Sequence, residues 1–187
     1  MATITSQGAA SVPSGGTAGA GLEDRAARWM ALALRLTLGL LWTANVGWKA
    51  PPDFGQARRA GLYAFTRDAI DHEVLAPYAW VVRHVVLPHF TVFGWLVLVV
   101  EACLGAFLLL GLATRFWALV GVAQSLAIAL SVLNTPGEWS WAYYMMIAGH
   151  LGVFALAAGR YGGLDGVLRP AWARSASRAA GLLLRAS

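Results

Sequence analysis

Four stretches of this chain each hold about 20 mostly apolar residues, the length an α-helix needs to cross the hydrocarbon core of a bilayer. They run from Trp29 to Trp48, Phe90 to Ala113, Phe116 to Leu133 and Trp139 to Gly159. Within a bilayer each backbone N–H and C=O must be satisfied inside the protein, so such windows predict helices and exclude an open sheet. Composition agrees: of 187 residues 58% are hydrophobic and only 12% are charged, and the mean hydropathy is +0.60, outside the profile of a soluble domain. The expected fold is an all-α integral membrane protein, a four-transmembrane-helix antiparallel bundle with a long, partly helical first outer loop and a C-terminal amphipathic helix. The short turn "LATR" between the second and third windows makes those two spans antiparallel neighbours.

Three regions follow. Residues 1–24 open with "MATITSQGAASVPSGGTAGAG", which lacks the basic start and apolar centre of a secretory signal and predicts a disordered cytoplasmic arm. Residues 25–168 make the membrane domain, and residues 169–187 a basic tail. Drawn as a helix, the tail puts Arg174, Arg178 and Arg185 opposite Trp172, Ala176 and Leu183, which suits a helix lying on the inner leaflet; a frayed terminus is the alternative.

The net charge of +5 comes from thirteen arginines and one lysine, Lys49. Their place at helix ends and in the tail reads as membrane topology rather than a nucleic-acid patch, so the bilayer is the expected partner and nucleic acid is not. Arg25, Arg28, Arg115, Arg160 and the tail arginines mark one side, whereas the loop "NTPGEW" carries no Lys or Arg. That asymmetry predicts a multi-pass membrane protein with both termini on the cytoplasmic side. Lys49, Arg58, Arg59, Arg67 and Arg83 in the first outer loop run against it. This loop, from Ala50 to about Pro88, is too long for a plain connector. Its segment "VLAPYAWVVRHVVLP" is too short and too charged to span and predicts one or two interfacial helices, and Leu62, Phe65 and Ala69 have helical spacing. The loop is either functional or a cover over the bundle's outer end.

One acid interrupts the second window, in "VLVVEACLG". A buried, unpaired carboxylate costs several kcal/mol, so Glu101 needs a partner or a task. At about 1.5 Å rise per residue, Glu101 lies roughly 18 Å and His150 roughly 16 Å below the outer edge, while Gln124 and Arg35 stand roughly 14 Å and 9 Å above the inner one. Each comes from a different span and falls in the middle third of the core. The expectation is an Arg35 to Glu101 ion pair completed by Gln124 and His150, with Glu101, His150 and Arg35 as candidate catalytic residues. The same layer is open to a structural reading, with Arg35 snorkelling to the interface or the pair fixing helix register.

Trp139, Tyr143, Met146 and His150 recur at intervals of four, three and four, an aromatic stripe ending in an imidazole. With Gln124 these are candidate contacts for a planar, proton-accepting cofactor such as a non-covalently bound quinone; ordinary helix packing is the alternative. Lys49, beside Asn45 at the outer end of the first span, is either a site for an anionic substrate or an interfacial anchor. Cys103 is the single cysteine, so this chain alone builds no disulfide, zinc cluster or covalent haem site. Bis-histidine haem is not expected either, because His89 lies near the outer edge and His150 at the centre. No metal is predicted.

The stretches "LRLTLGLLWTANVGWK", "FGWLVLVVEACLGAFLLLGLATR" and "WSWAYYMMIAGHLGVFALAAGRYGGLD" resemble the DoxX/DoxD superfamily, with the closer likeness to the DoxD-type small subunit of thiosulfate:quinone oxidoreductase. The resemblance covers about residues 30 to 168. It picks out Arg35, Gly39, Gly47 and Lys49, then Glu101, Gly105, Gly111, Thr114 and Arg115, and finally Gly159, Arg160 and Asp165. It implies a four-helix prokaryotic membrane protein tied to quinone-linked oxidation of thiosulfate or another reduced sulfur or thiol compound, with a separate DoxA-like or soluble redox subunit as partner. Two other functions stay open from the residues: a non-catalytic membrane scaffold for a redox or stress-response complex, and a small-molecule or proton-linked carrier.

Overall fold

The computed structural model describes residues 17–187, with side chains from Gly21 onward. It is helical, and no strand occurs among the described residues. Helix α1 (Thr17–Val46) begins within the segment expected to be a disordered arm; residues 1–16 of that arm lie outside the described residues. The first loop supplies α2 (Gly61–Asp71) and α3 (Ala76–Val81). Then come α4 (Phe90–Leu110), α5 (Thr114–Val132) and α6 (Ser140–Ala155). The chain ends in α7 (Leu164–Arg174) and α8 (Arg178–Ala186).

Among the described residues three segments are long and apolar enough to cross a membrane: Gly21–Val46, Ala76–Leu110 and Thr114–Val132. Helix α6, at 16 residues, falls short of that length. The second differs from expectation. The segment "VLAPYAWVVRHVVLP" is no separate interfacial helix but the opening of one 35-residue helical stretch, about 52 Å long against a core of about 30 Å. Pro88 explains its irregular middle. Proline lacks an N–H, and its ring collides with the carbonyl four residues back, here that of His84. The ladder widens to a π-helical turn over Val82–Val86, where the Leu87 N–H donates to Val82 O, and then tightens to a 3₁₀ turn over Leu87–His89.

Helix α1 packs mainly on α4, and α5 on α6; the two pairs touch each other less extensively. Small residues set both close approaches. A Cβ at Gly105 would stand 3.3 Å from Thr43 Cα, and one at Gly121 would overlap the His150 ring. At the end that carries α7 and α8, the tail end, the pairs close over Ala31, Leu38, Leu104, Leu108, Ala118 and Val153. At the opposite, lid end, α2 packs on α5 and on the π-helical turn. Phe54 pins the loop before α2: it is fully buried, sits at φ +53° and meets Trp95 edge-on at 5.5 Å, over a surface that only Gly94 leaves free. Leu40, Val92, Leu96, Val99, Leu119, Leu126, Met145 and Leu151 stay exposed on the long helices. An apolar belt of that extent is the surface of a membrane protein.

The tail is two helices, not one. Its first begins at Leu164, and the chain breaks at Ser175–Ser177 before Ser177 caps α8 by accepting the Ala180 N–H at 3.1 Å. Arg169 ties the two together by donating to Leu184 O at 2.8 Å, while Arg174, Arg178 and Arg185 remain exposed.

Candidate functional site

Between the two helix pairs, beneath α2 and α3, lies a cavity of about 680 Å³. Its walls come from the lid-end halves of α1, α4, α5 and α6 and from α2, α3 and the π-helical turn, and they are mostly apolar: Leu38, Trp42, Leu62, Phe65, Val86, Phe93, Ile128 and Met146 among others. A few polar groups converge on it, the arrangement typical of a small-molecule site.

Glu101 stands at its floor, 1% exposed. Its Oε2 is 2.6 Å from Lys49 Nζ and accepts the Asn45 Nδ2–H at 3.0 Å; its Oε1 accepts the Gln124 Nε2–H at 3.1 Å. Asn45 is oriented in turn by the Trp48 indole, which donates to Asn45 Oδ1 at 2.8 Å and so turns the amide NH₂ toward the carboxylate. Lys49 is 2% exposed, lies 3.4 Å from Asn45 O and stands 4.4 Å over the Trp48 ring. The result is a neutral, hydrogen-bonded acid–base pair, which is what a charge needs in order to stay in a dry site.

The partner of Glu101 is therefore Lys49 and not Arg35. Lys49 follows the end of α1, where the Gly47 and Lys49 N–H groups donate to Ala44 O and Val46 O, and this turn sends the side chain back into the bundle rather than out to the interface. Arg35 lies deeper, toward the tail end. Its Nη1 donates to Leu108 O and, at 2.9 Å, to Leu109 O, and its Nη2 donates to Gly162 O at 3.2 Å. The carbonyls that end a helix have no partners within it and carry its negative dipole end, so the last turn of α4 draws the guanidinium. Asp165 does the complementary task for α5, accepting the Ala113 and Thr114 N–H groups at 2.7 and 2.9 Å. Gly111, at φ +66°, lets the turn pass, and a Cβ there would stand 2.7 Å from Gly163 Cα. The motif residues Arg35, Gly111, Thr114, Gly159 and Asp165 thus build the tail-end turn, apart from the cavity.

His150 is fully buried and lines the cavity with its ring. Its Nδ1 is 2.7 Å from Met146 O, and its Nε2 accepts the Trp42 Nε1–H at 2.8 Å. An indole nitrogen only donates, so Nε2 is the acceptor and Nδ1 carries the proton. Both nitrogens are engaged, and neither bonds to Glu101. Of the aromatic stripe, Tyr143 and Met146 line the cavity, whereas Trp139 is 72% exposed and stands outside it.

Four contributors were not singled out from sequence. Trp42 and Trp48 orient His150 and Asn45. The Tyr78 hydroxyl reaches Ala127 O and Ser131 Oγ at 3.0 Å each, fastening α3 to α5. Glu138 accepts the Tyr143 O–H where the turn before α6 meets the cavity. A signal for part of this exists: Trp42, Asn45 and Lys49 follow the three-and-four spacing of one helix face. Outside the apolar segments, burial pushes the Asp68 carboxyl of α2 up, opposed by His72 and by the nearby Thr135 hydroxyl and aided by Asp71 and Glu138.

Residues 73–185 match the family model described as "TQO small subunit DoxD". No curated protein and no solved structure matches the chain. The match takes in Glu101, Gln124, Glu138, Tyr143, His150 and Asp165 and begins after α1, which carries Arg35 and Asn45, and after the turn that carries Lys49. This chain belongs to the DoxD family.

Proposed function

We propose that the chain is the membrane subunit of a quinone-linked oxidoreductase and that the cavity holds the quinone ring. The observation that carries this reading is a cavity of about 680 Å³ whose apolar and aromatic walls end on a carboxylate, an ammonium and two amides, in a family described as a TQO small subunit. A planar ring with an oxygen at each end fits such a site: Trp42, Phe65 and Met146 offer it flat apolar surface, and Gln124, Asn45 and Lys49 offer N–H donors. A bound quinone supplies a two-electron, two-proton acceptor. The chain's own part is to exclude water and to hold protons. Lys49 Nζ and Glu101 Oε2, 2.6 Å apart, exchange a proton without moving a heavy atom. Asn45 and Gln124 keep the carboxylate in place as its charge changes.

In this reading α6 and the turn after it complete a fourth, short crossing, which makes an antiparallel four-span bundle in the inner membrane of a prokaryote. The termini face the cytoplasm and the lid faces outward. Electrons come from a reduced sulfur compound such as thiosulfate through a separate subunit.

The test is binding of a short-tailed benzoquinone to the purified chain, followed by quenching of tryptophan fluorescence, since Trp42 and Trp48 line the cavity. Saturable quenching that disappears in the cavity-filling variant Ile128→Trp is expected. Quenching that never saturates, or is equal in both proteins, rejects the reading. With the partner subunit and thiosulfate present, Glu101→Gln is expected to lower turnover about 100-fold, the scale of a lost proton-transfer group.

A further inference from the structure

We infer that Glu138, through Tyr143, is the proton port of the cavity, so that the buried floor exchanges protons only with water on the lid side. The inference rests on the quinone reading and concerns how its protons arrive. The titratable groups lining the cavity are Lys49 in the turn after α1, Tyr78 of α3, Glu101 of α4, Tyr143 and His150 of α6, and Glu138 in the turn before α6. Lys49, Glu101 and His150 are each 2% exposed or less. Glu138 alone among the carboxylates of this set also keeps part of its surface toward solvent.

Tyr143 and Glu138 line the cavity together at its lid side. The Tyr143 ring is nearly buried, its hydroxyl donates to the Glu138 carboxylate, and it stands seven residues, about 10 Å, before His150 on α6. The other hydroxyl and imidazole are dead ends. Tyr78 is fastened to Ala127 O and to the Ser131 hydroxyl, which itself ends on Ala127 O, a carbonyl with no proton to pass on. His150 donates its Nδ1–H to Met146 O, and its Nε2 lone pair is taken by Trp42. Toward the tail end no hydrogen-bonded relay continues among the described residues: Leu104, Leu108, Ala118 and Val153 are fully buried, and the Arg35 guanidinium is bound to carbonyls of the α4 end and of Gly162. A proton given by Glu138 to the cavity side is replaced by one from lid-side water, so the carboxyl returns to its starting state and only protons move.

The full-length protein loaded with a short-tailed benzoquinone and reduced at an electrode, which delivers electrons without protons, tests this through the proton-coupled rate read from voltammetric peak separation. Glu138→Gln is expected to leave quinone affinity, measured by tryptophan quenching, within about twofold while slowing the rate about 100-fold. Azide, a small diffusible proton carrier, restores the rate, and Glu138→Asp retains it. A wild-type rate in Glu138→Gln overturns the inference. So does a slow rate that azide leaves unchanged, because that marks a structural role. In vesicles with the protein in one orientation, a pH dye should report proton uptake on the lid side, and uptake on the tail side also rejects it. If the wild-type protein binds no quinone, the functional reading itself fails, separately visible in the quenching, and takes this inference with it.

Discussion

Lys49 and Glu101 hold each other in a site that neither charge would tolerate alone. Removing one partner of a buried pair leaves the other uncompensated, at about 3–5 kcal/mol, whereas removing both is often nearly neutral. Lys49→Met is therefore expected to destabilise the protein by about that much, and Lys49→Met combined with Glu101→Leu to recover most of the loss, as measured by unfolding in detergent. Losses that simply add would mean the two residues are not coupled. Arg35 makes a different prediction, because its donors fan onto the α4 and Gly162 carbonyls. A lysine cannot reproduce that fan, so Arg35→Lys should cost about 2 kcal/mol of stability while quinone affinity stays at the wild-type value. Loss of affinity at unchanged stability would move Arg35 into the site.

At the scale of elements, the lid is the part that sequence patterns described least well. Pro88 converts what would be a straight helix into a π-helical and a 3₁₀ turn, and α2 docks on α5, to which the Tyr78 hydroxyl also fastens α3. Two predictions belong here. Tyr78→Phe removes the bond from α3 to Ala127 O and Ser131 Oγ, about 1 kcal/mol. It should raise amide hydrogen exchange in α2 and α3 while leaving α1 and α4 unchanged; equal exchange throughout would show that the lid opens only with the bundle. Asp68 sets a pH dependence. Burial raises its carboxyl in the folded protein above the unfolded value, so the folded state binds the proton more tightly. Lid docking is then firmest below the unfolded value and weakens as pH rises through the folded one. Hydrogen exchange in α2 should increase across that window, beyond its intrinsic pH dependence, and Asp68→Asn should remove the increase.

The whole molecule divides into a packed tail end and a hollow lid end. Leu104, fully buried in the packed half, should cost about 2–5 kcal/mol when cut to alanine, because a cavity opens there. Ile128 already borders empty space, so Ile128→Ala should cost less than Leu104→Ala and instead shift ligand affinity. Equal costs in the two variants would argue that the lid end is as well packed as the tail end.

Much of this was legible in the residues taken one window at a time. Apolar runs of span length dictate membrane helices, because a bilayer offers the backbone no other way to satisfy its hydrogen bonds. A lone acid at mid-depth demands a partner, and counting rise per residue brought Gln124 to the level of Glu101, where the two do bond. Depth, however, is a single coordinate. It put Arg35 near enough to pair with Glu101 and Lys49 out at the rim, since it carries no record of the direction in which a side chain leaves its helix or of where the chain turns. The turn after Val46 aims Lys49 inward, the open carbonyls at the end of α4 capture Arg35, and Trp42 takes the Nε2 of His150, which was expected to complete the Glu101 pair. The sequence by itself determined that charges would be buried in a helical membrane protein. Which charges meet was decided only by the packing of helices distant in sequence, because pairing depends on rotation and close approach that no single helix specifies.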